Sequence, residues 1–490
     1  MMTLDPDLQS IQEVRNCLAQ AKEAQKALEK MSQSQIDAIV RSMAAAAEKE
    51  AERLGRMASE ETGFGIPADK KRKNLFVARQ VYGAIKDMKT VGIIRRDEQA
   101  KVWEVAQPVG VVAGILPSTN PTSTAIFKSL IAVKARNAIV FSPHPSAVRC
   151  CAETARVMAE AAERAGAPPG IIHCLTQPTM AATRELMTHK LTDLILATGG
   201  SGMVKAAYSS GKPAFGVGPG NVPVYVHASA NVKEAVRHIV ESKCFDNGTI
   251  CASEQAVVAD QAVKRQLIEE FKKQGAHVLN ETDKAKVEAV LMAGSGLNPA
   301  VVGKSARCIA EMAGVRVPDG TRLLIAEETK VGKDAPFSIE KLSPVLAFYT
   351  VQDWREGCAK CIELLELGGL GHTLGIHCED PEVIEAFGLE KPASRIVVNT
   401  GTTFGGIGAT TGIFPSMTLG CGSFGNNITS DNIGPQHLLN IKRVAFGIRE
   451  MNEEPAEPAN SETSGGHPAI DRQAVMEIVR KVLSEMKISS

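Results

Sequence analysis

Apolar runs of strand length alternate with amphipathic helical runs along most of the chain. A first series begins at Val109 and contains GVVAGILP, STAIFKSLIAVKA, AIVFSP, AVRCCAETARVMAEAAERA, GIIHCL, AATRELMTHK and DLILATGG. A second series contains SEQAVVAD, QLIEEFKK, RLLIAEE, PVLAFYTV, CAKCIELLEL, TLGIH and RIVVNT. Such alternation is typical of parallel, doubly wound sheets. The pattern therefore predicts an α/β protein with two sheet-forming regions.

The segments outside the two series carry different patterns. Residues from Leu8 to Met57 are rich in Ala, Glu, Lys and Gln, with apolar residues at helical spacing, which predicts helices packed on the surface. TVGIIRRDEQAKVWEV, from Thr90, predicts a hairpin, and LLNIKRVAFGI, near Leu438, predicts another strand. Projecting strands of this kind often extend a partner's sheet, so we expect a homo-oligomer, a dimer or a tetramer.

The composition changes abruptly after Glu450. The run NEEPAEPANSETSGGHP is dense in Pro, Ser, Glu, Asn and Gly, which predicts a flexible linker. AIDRQAVMEIVRKVLSEMK follows, with Asp471 as a possible cap and apolar residues on one helical face. Two roles remain open for this helix: it folds back on its own body or oligomer, or it docks on another protein.

Size and charge narrow the class of protein. A chain of 490 residues predicts two or three cooperating domains. Lys plus Arg number 55 and Asp plus Glu number 55, so charge gives no argument for nucleic acid or an anionic membrane. The N-terminus has no secretion signal pattern, and no apolar run approaches the roughly 18 residues of a membrane span. These features predict a cytoplasmic protein.

Eleven cysteines at irregular spacings predict reduced thiols rather than a disulfide framework. Cys358 and Cys361 form a CxxC, but it lies in a helical run without a second pair or nearby histidines. We therefore expect no metal site.

One cysteine has a position that suits chemistry. In FDNGTICASE, Cys251 follows a glycine-containing loop and precedes a strand, where a thiol can face a pocket. A lone cysteine is more often a core residue, so this placement needs other support. In VGVVAGILPSTNPT a strand ends in a polar loop, where α/β folds bind ligands. The amide of Asn120 in that loop is a candidate donor to a developing oxyanion.

Two glycine-rich loops are candidate cofactor sites. LATGGSGMVKAA places Thr198, Gly199 and Gly200 between a strand and a helix, where backbone N–H groups and the helix dipole favour a phosphate. Because the turn has no G-x-G-x-x-G, by itself it indicates only an anion site or a tight turn. GVGPGNVPVYV, from Gly216, is a second such loop.

Taken in order, these segments resemble the aldehyde dehydrogenase superfamily over nearly the whole length to Ile448. The resemblance rests on PVGVVAGILPSTNP, TGGSG, the glycine loop with Asn221 and Pro223, FDNGTICASE and EKLSPVL. FDNGTICASEQ and SSGKPAFGVGPGNVPVYV are closest to the CoA-acylating branch, which includes enzymes of bacterial microcompartments and the first half of bifunctional aldehyde-alcohol dehydrogenases.

The resemblance implies a Rossmann-like cofactor domain, an α/β catalytic domain and a β-arm for oligomerisation. We expect the NAD-binding domain at 1–90 and 106–228, the catalytic domain at 229–425 and the oligomerisation strands at 91–105 and 426–448. A linker at 449–468 and an amphipathic targeting helix at 469–490 would follow. Short helices of this kind direct some microcompartment enzymes to the shell, so a shell protein and a microcompartment are the expected partner and location.

The resemblance also assigns roles to residues. It implies Cys251 as nucleophile, Asn120 as oxyanion donor and Glu340 as a contact of the nicotinamide ribose. The expected cofactor-binding set is Pro117, Ser118, Thr119, His144, Pro145, Thr198, Gly199, Gly200, Gly216, Val217, Gly218, Glu340 and Pro344.

Departures from the family pattern indicate the reaction. Val217 stands where hydrolytic relatives carry a general-base Glu, so water is poorly activated and the thiol of CoA is the better nucleophile. His144 replaces a lysine near the adenine ribose, which favours NAD while leaving discrimination against NADP open. The expected reaction converts a short aldehyde, propanal first, with CoA and NAD to acyl-CoA and NADH.

Other interpretations stay open. The chain is alternatively a hydrolytic aldehyde dehydrogenase that releases free acid, or a catalytically silent adaptor whose tail binds a shell. His372 is a candidate for proton movement, although a structural role is the more common one for such a histidine.

Overall fold

The computed structural model describes residues 5–294 and 296–451, together with 473, 476, 477, 480 and 481, which are helical. The rest of the predicted linker and C-terminal helix lies outside the described residues. The chain divides into two compact units, residues 1–96 with 103–444 and residues 97–102 with 445–490. In the second unit, the N–H of Phe446 donates to the carbonyl of Lys101 at 3.1 Å. All the candidate site residues lie in the first unit.

The chain begins with a helical layer, as the sequence predicts. It comprises α1 (Pro6–Leu28), α2 (Gln33–Thr62), α3 (Pro67–Phe76) and α4 (Tyr82–Ile85), with a π-helical segment at Val77–Val81. Ser32 and Gln35 form a capping box that fixes the start of α2. The helical period places Ile36, Ile39, Val40 and Met43 on one buried face of α2.

Strands β1 (Gly92–Asp97) and β2 (Val102–Pro108) follow the helical layer. They share a three-stranded sheet, in the order β1-β2-β17, with the last strand of the fold, β17 (Leu439–Ala445). Most residues of β1 and β17 are exposed. The predicted strands near Thr90 and Leu438 are therefore present, on one sheet.

A five-stranded parallel sheet contains β3 (Val111–Ile115), β4 (Ala138–Ser142), β5 (Ile172–Cys174), β6 (Leu194–Thr198) and β7 (Ala214–Val217). The connecting helices are α5 (Pro121–Lys134), α6 (Val148–Arg164), α7 (Met180–Thr188) and α8 (Ser201–Tyr208). The strand order is β5-β4-β3-β6-β7, so the chain changes direction across the sheet beside β3. Such a switch point opens a crevice at the carboxyl ends of the strands.

A seven-stranded parallel sheet follows, with the order β10-β13-β14-β9-β8-β15-β16. Its strands are β8 (Val222–Val226), β9 (Glu254–Asp260), β10 (Ala276–Val278), β13 (Leu323–Glu327), β14 (Val345–Val351), β15 (Gly371–His377) and β16 (Ala393–Val398). The short strands β11 (Met292–Ala293) and β12 (Gly296–Leu297) pair separately. The helices are α9 (Val232–Cys244), α10 (Lys264–Lys273), α11 (Glu281–Leu291), α12 (Ala306–Met312), α13 (Trp354–Gly368), α14 (Pro381–Glu390) and α15 (Thr402–Gly406).

The chain passes from the first sheet to the second before residue 228, the expected end of the NAD-binding domain. Strand β8 pairs with β9 and β15, so it belongs to the second sheet. The joint is therefore the four-residue loop 218–221. No described helix is long and apolar enough to cross a membrane.

Candidate active site

Cys251 follows a sharp turn between α9 and β9. The turn at Phe245–Gly248 holds Asp246 and Asn247 in the left-handed region, with φ of 49° and 51°. Such a conformation costs a residue with a side chain about 1–3 kcal/mol, so other contacts must hold it. The carboxylate of Asp246 accepts hydrogen bonds from the N–H of Ile66 at 2.6 Å and the hydroxyl of Thr249 at 2.8 Å. These bonds hold the chain that leads to Cys251.

The predicted glycine loop packs directly against Cys251, the predicted nucleophile. A Cβ added at Gly220 would lie 2.5 Å from the carbonyl oxygen of Cys251 and 3.0 Å from the ring of His372. Real Cβ atoms essentially never approach this closely, so only glycine fits without a shift. The structure thus brings together the loop after β7, Cys251 and His372.

The environment of the Cys251 side chain favours the neutral thiol. Burial raises the pKa of Cys251 to about 12, and the fields of Glu340 and Cys421 act in the same direction. The guanidinium of Arg395 opposes them. The resting site therefore holds a protonated sulfur at neutral pH, and a base must remove the proton before attack.

Glu340 is tied to the glycine loop. Its carboxylate accepts a hydrogen bond from the N–H of Gly220 at 3.0 Å, and burial raises its pKa to about 7. The buried ammonium of Lys341 donates to the carbonyls of Phe337 at 2.6 Å and Ile339 at 2.7 Å, which fixes the backbone before Glu340. Pro344 precedes β14, and its carbonyl accepts from the N–H of Leu324.

His372 lies at the start of β15 as a buried, neutral imidazole. Burial, with Arg395 adding to it, lowers the pKa of His372 to about 3. Its Nδ1 lies 3.0 Å from the hydroxyl of Thr373, whereas Nε2 is buried without a hydrogen-bond partner among the described residues. Its place against Gly220 puts it beside the nucleophile loop.

Asn120 is the N-cap residue of α5, at the end of the loop that follows β3, and it faces the segment that leads to Cys251. Its Nδ2 donates to the carbonyl of Thr249 at 3.3 Å and to the hydroxyl of Thr119 at 3.1 Å. Thr249 is two residues before Cys251, so the amide predicted as an oxyanion donor reaches the nucleophile segment.

Three further charged residues near Asn120 are not among the predicted site residues. Lys70 and Lys73 on α3 are buried, and each donates a hydrogen bond to the buried carboxylate of Asp246 in the turn. In the sequence PADKKRKNLF the lysines have the pattern of a solvated charge run. No local signal distinguishes the two buried lysines from the exposed ones, because their burial depends on tertiary contacts.

Six predicted cofactor residues line one cleft, of about 240 Å³, at the carboxyl ends of the strands of the first sheet. They are Pro117, His144, Pro145, Thr198, Gly199 and Gly200. Gly200 caps α8, and an added Cβ there would meet no atom within 4 Å, so bare backbone faces open space. The hydroxyl of Thr198 is buried with no described partner. A helix start with free space and an unused polar group suits an anionic ligand.

His144, in the same cleft, caps a short turn rather than carrying a charge. Its Nδ1 accepts a hydrogen bond from the N–H of Ser146 at 3.2 Å, and burial lowers its pKa. A neutral ring offers no cation to a phosphate on the ribose.

A second cleft, of about 590 Å³, also borders α8. Its lining includes Gly218, Lys205 and Cys421. The remaining predicted residues line neither cleft: Ser118 and Thr119 lie between β3 and α5, Gly216 and Val217 end β7, and Glu340 and Pro344 precede β14. Within the described part of the chain, no cluster of His, Cys, Asp or Glu has the form of a metal site.

Known proteins share this arrangement of sheets. The structure matches a crystal structure of an acetylating aldehyde dehydrogenase from Geobacillus thermoglucosidasius with a TM-score of 0.91 and 67% identity, covering 92% of this chain and 100% of that chain. It matches a Rhodopseudomonas palustris propionaldehyde dehydrogenase with bound propionyl-CoA with a TM-score of 0.81 and 27% identity, covering 88% and 94%.

Sequence relatives agree with these structures. An aldehyde-alcohol dehydrogenase of Streptococcus pneumoniae is 48% identical over 81% of this chain and 46% of its own length. The chain thus spans about half the length of that relative. Residues 6–328 match the aldehyde dehydrogenase family. From its sequence and its fold together, the chain belongs to the aldehyde dehydrogenase family.

Proposed function

We propose that this chain is a CoA-acylating aldehyde dehydrogenase. It converts a short-chain aldehyde, with propanal favoured, together with CoA and NAD to acyl-CoA and NADH through a thioester on Cys251. The names of the Geobacillus and Rhodopseudomonas proteins, one acetylating and one holding propionyl-CoA, support an acyl-transferring role.

The observation that carries the proposal is the loop 218–221. Gly220 packs on the carbonyl of Cys251, yet neither the loop nor the adjoining Val217 supplies a carboxylate. Val217 is 2% exposed at the end of β7. The nearby carboxylate of Glu340 is engaged by the N–H of Gly220. Water therefore has no dedicated base in this loop, and a thioester survives until a thiol attacks it.

The chain's own residues account for the first bond-forming step. The Cys251 thiol loses its proton, and its sulfur attacks the aldehyde carbon, which places a negative charge on the former carbonyl oxygen. The amide of Asn120 and the N–H of Cys251 donate to that oxygen. Burial lowers the pKa of His372 to about 3, so its neutral ring is a weak acceptor for the proton of this thiol.

Collapse of the oxyanion expels a hydride and leaves the acyl group on sulfur. NAD, when bound, supplies the acceptor for that hydride. The thiol of CoA then attacks the thioester, its proton passes to a base, and Cys251 leaves as the thiolate.

The first cleft, of about 240 Å³, is proposed to hold the adenosine end of a dinucleotide. The backbone N–H of Gly200 at the start of α8 would face the pyrophosphate, Thr198 offers an unused hydroxyl, and Pro117 and His144 would flank the adenosine. The neutral His144 favours NAD over NADP.

The test is NADH formation by the purified protein with acetaldehyde, propanal and butanal, each with and without CoA. We expect product formation to require CoA, and Cys251→Ala to abolish it. Cys308→Ala, which removes a half-buried thiol on α12, is the matched control and should retain activity. Equal rates without CoA would establish the hydrolytic alternative. A Cys251→Ala variant that still reduces NAD would refute the mechanism.

A further proposal concerns location. The segment after Glu450 is proposed to direct the enzyme into a bacterial microcompartment by docking its helix, at 469–490, on a shell protein. The strands within 91–105 and 426–448 are proposed to form the oligomer, a dimer or a tetramer. Deletion of all residues after Glu450 should preserve activity and abolish co-localisation with shell proteins. Unchanged localisation would exclude the targeting role.

A further inference from the structure

Lys73 is a buried lysine, and its ammonium contacts Asn120 and the segment 246–249 that precedes Cys251. It lies on α3 and is 3% exposed. Its ammonium donates to Oδ1 of Asn120 at 2.5 Å, to the hydroxyl of Thr249 at 3.1 Å and to the carboxylate of Asp246. A buried charge without such partners would be strongly unfavourable, so these bonds define where the ammonium sits.

The contact with Asn120 fixes which way its amide points. The oxygen and nitrogen of a carboxamide are nearly equal in size, so packing alone barely distinguishes the two orientations. An ammonium has only donors. Oδ1 of Asn120 must therefore face Lys73, which turns Nδ2 toward the carbonyl of Thr249, 3.3 Å away. One N–H is thus held toward the segment that carries Cys251, and the other donates to the hydroxyl of Thr119 at 3.1 Å.

The charges around Lys73 favour an anion near that amide. Lys70, 2% exposed, donates to the same carboxylate of Asp246 at 3.0 Å and to the carbonyl of Thr119 at 3.0 Å. Asp69 accepts the N–H of Asp246 at 2.8 Å and pairs at its other oxygen with the exposed Arg72 at 3.5 Å. Among the described residues, two ammonium groups therefore share one buried carboxylate, and a positive excess remains beside Asn120.

We propose that Lys73 is a positioning residue for the thiol chemistry. It fixes the orientation of the Asn120 amide and, by drawing electron density from Oδ1, strengthens the N–H groups that donate to the oxyanion formed at Cys251. This inference rests on the proposed function. Burial lowers the pKa of Lys73 to about 8, with Asp246 opposing and Lys70 adding to the effect, so the ammonium is lost at mildly alkaline pH.

A double-mutant cycle tests the coupling. The variants are Lys73→Met, Asn120→Ala and their combination, and the readout is the single-turnover rate of NADH formation with propanal. Loss of one oxyanion donor costs about 10²–10³ in rate, so we expect about a 100-fold loss for Asn120→Ala and about 10- to 100-fold for Lys73→Met. The double variant should be no slower than Asn120→Ala alone. Losses that multiply, or a Lys73→Met variant at the wild-type rate, would overturn the proposal.

A matched variant controls for the removal of a buried cation. Lys134 is 0% exposed, lies at the other end of α5 and pairs with Asp37. Lys134→Met makes the same chemical change away from the nucleophile, and its single-turnover rate should stay within about 3-fold of the wild-type rate. A loss equal to that of Lys73→Met would show that any buried lysine has this effect, and would overturn the specific role.

Alkylation of Cys251 by iodoacetamide separates positioning from collapse of the site, because this reaction forms no oxyanion. The charged groups whose fields act on the thiol are Glu340 and Arg395, so Lys73→Met should alkylate within about 3-fold of the wild-type rate. A much slower reaction would mean a damaged site and would count against the proposal. The wild-type turnover should also fall above about pH 8, and Lys73→Met should lack that decline. A wild-type protein without CoA-dependent activity would instead refute the proposed function itself.

Discussion

The carboxylate of Glu340 accepts a hydrogen bond from the N–H of Gly220 at 3.0 Å. Gly220 in turn packs against the carbonyl of Cys251. Gly220 therefore connects Cys251 with Glu340, whose pKa burial raises to about 7. The field of Glu340 raises the pKa of the Cys251 thiol. Thiol reactivity is therefore coupled to the charge on this carboxylate.

Glu340→Gln should make Cys251 more reactive above about pH 7, where the wild-type carboxylate is ionised. The change removes a negative charge and keeps an oxygen that accepts from Gly220, so the thiol pKa should fall by about one unit. The rate of iodoacetamide alkylation as a function of pH measures the shift. Glu327→Gln, at an exposed salt bridge with Lys264, is the control and should leave the profile in place. A midpoint that stays put or rises in Glu340→Gln would contradict the coupling.

Gly220→Ala should damage catalysis more than stability. The new Cβ would lie 2.5 Å from the carbonyl of Cys251, so the nucleophile loop must shift. Because small misplacements of reacting groups are costly, we expect kcat to fall at least about 10-fold. Gly388→Ala, in α14 with open space at its Cβ position, should keep kcat and stabilise the fold by about 1 kcal/mol. Similar kcat values for both variants would show that the contact does not matter.

Gly218→Glu should introduce hydrolysis. A Cβ at Gly218 meets no atom within 4 Å, so a longer side chain has room in the loop that contains Gly220, whereas Val217 is buried. A positioned general base should raise CoA-independent acid release by about 10-fold or more. Gly218→Gln has the same size without a basic group and serves as the control. Equal acid release by the two variants would mean that a missing carboxylate is not what protects the thioester.

Two buried histidines should make the fold sensitive to acid. Burial lowers the pKa of His372 and of His377 to about 3 from 6.5. Between those values the unfolded chain binds more protons, so stability rises with pH, by up to about 1.4 kcal/mol per unit for each group, and levels off above 6.5. Urea unfolding at pH 5, 6, 7 and 8 should show this slope. His377→Phe should reduce it, and an unchanged slope would exclude His377 as a source.

Much of the fold follows from local pattern, and the exceptions have a physical cause. The alternation from Val109 to Thr198 predicts the strands and helices of the first sheet because each segment is buried according to its own period. The membership of β8 in the second sheet does not follow from local pattern, because its partners β9 and β15 are distant in sequence.

The candidate site divides in the same way. Cys251, Asn120 and Gly200 stand in motifs that can be recognised in the sequence. Lys73 and Asp246 become important only when α3 packs on the turn before Cys251, 173 positions away in sequence. The unused Nε2 of His372 is likewise a property of the assembled interior.

The loop 218–221 is both the covalent bridge between the two sheets and the surface on which Cys251 rests. Because only four residues join the sheets, a displacement of one sheet relative to the other would also move the backbone against which the carbonyl of Cys251 packs.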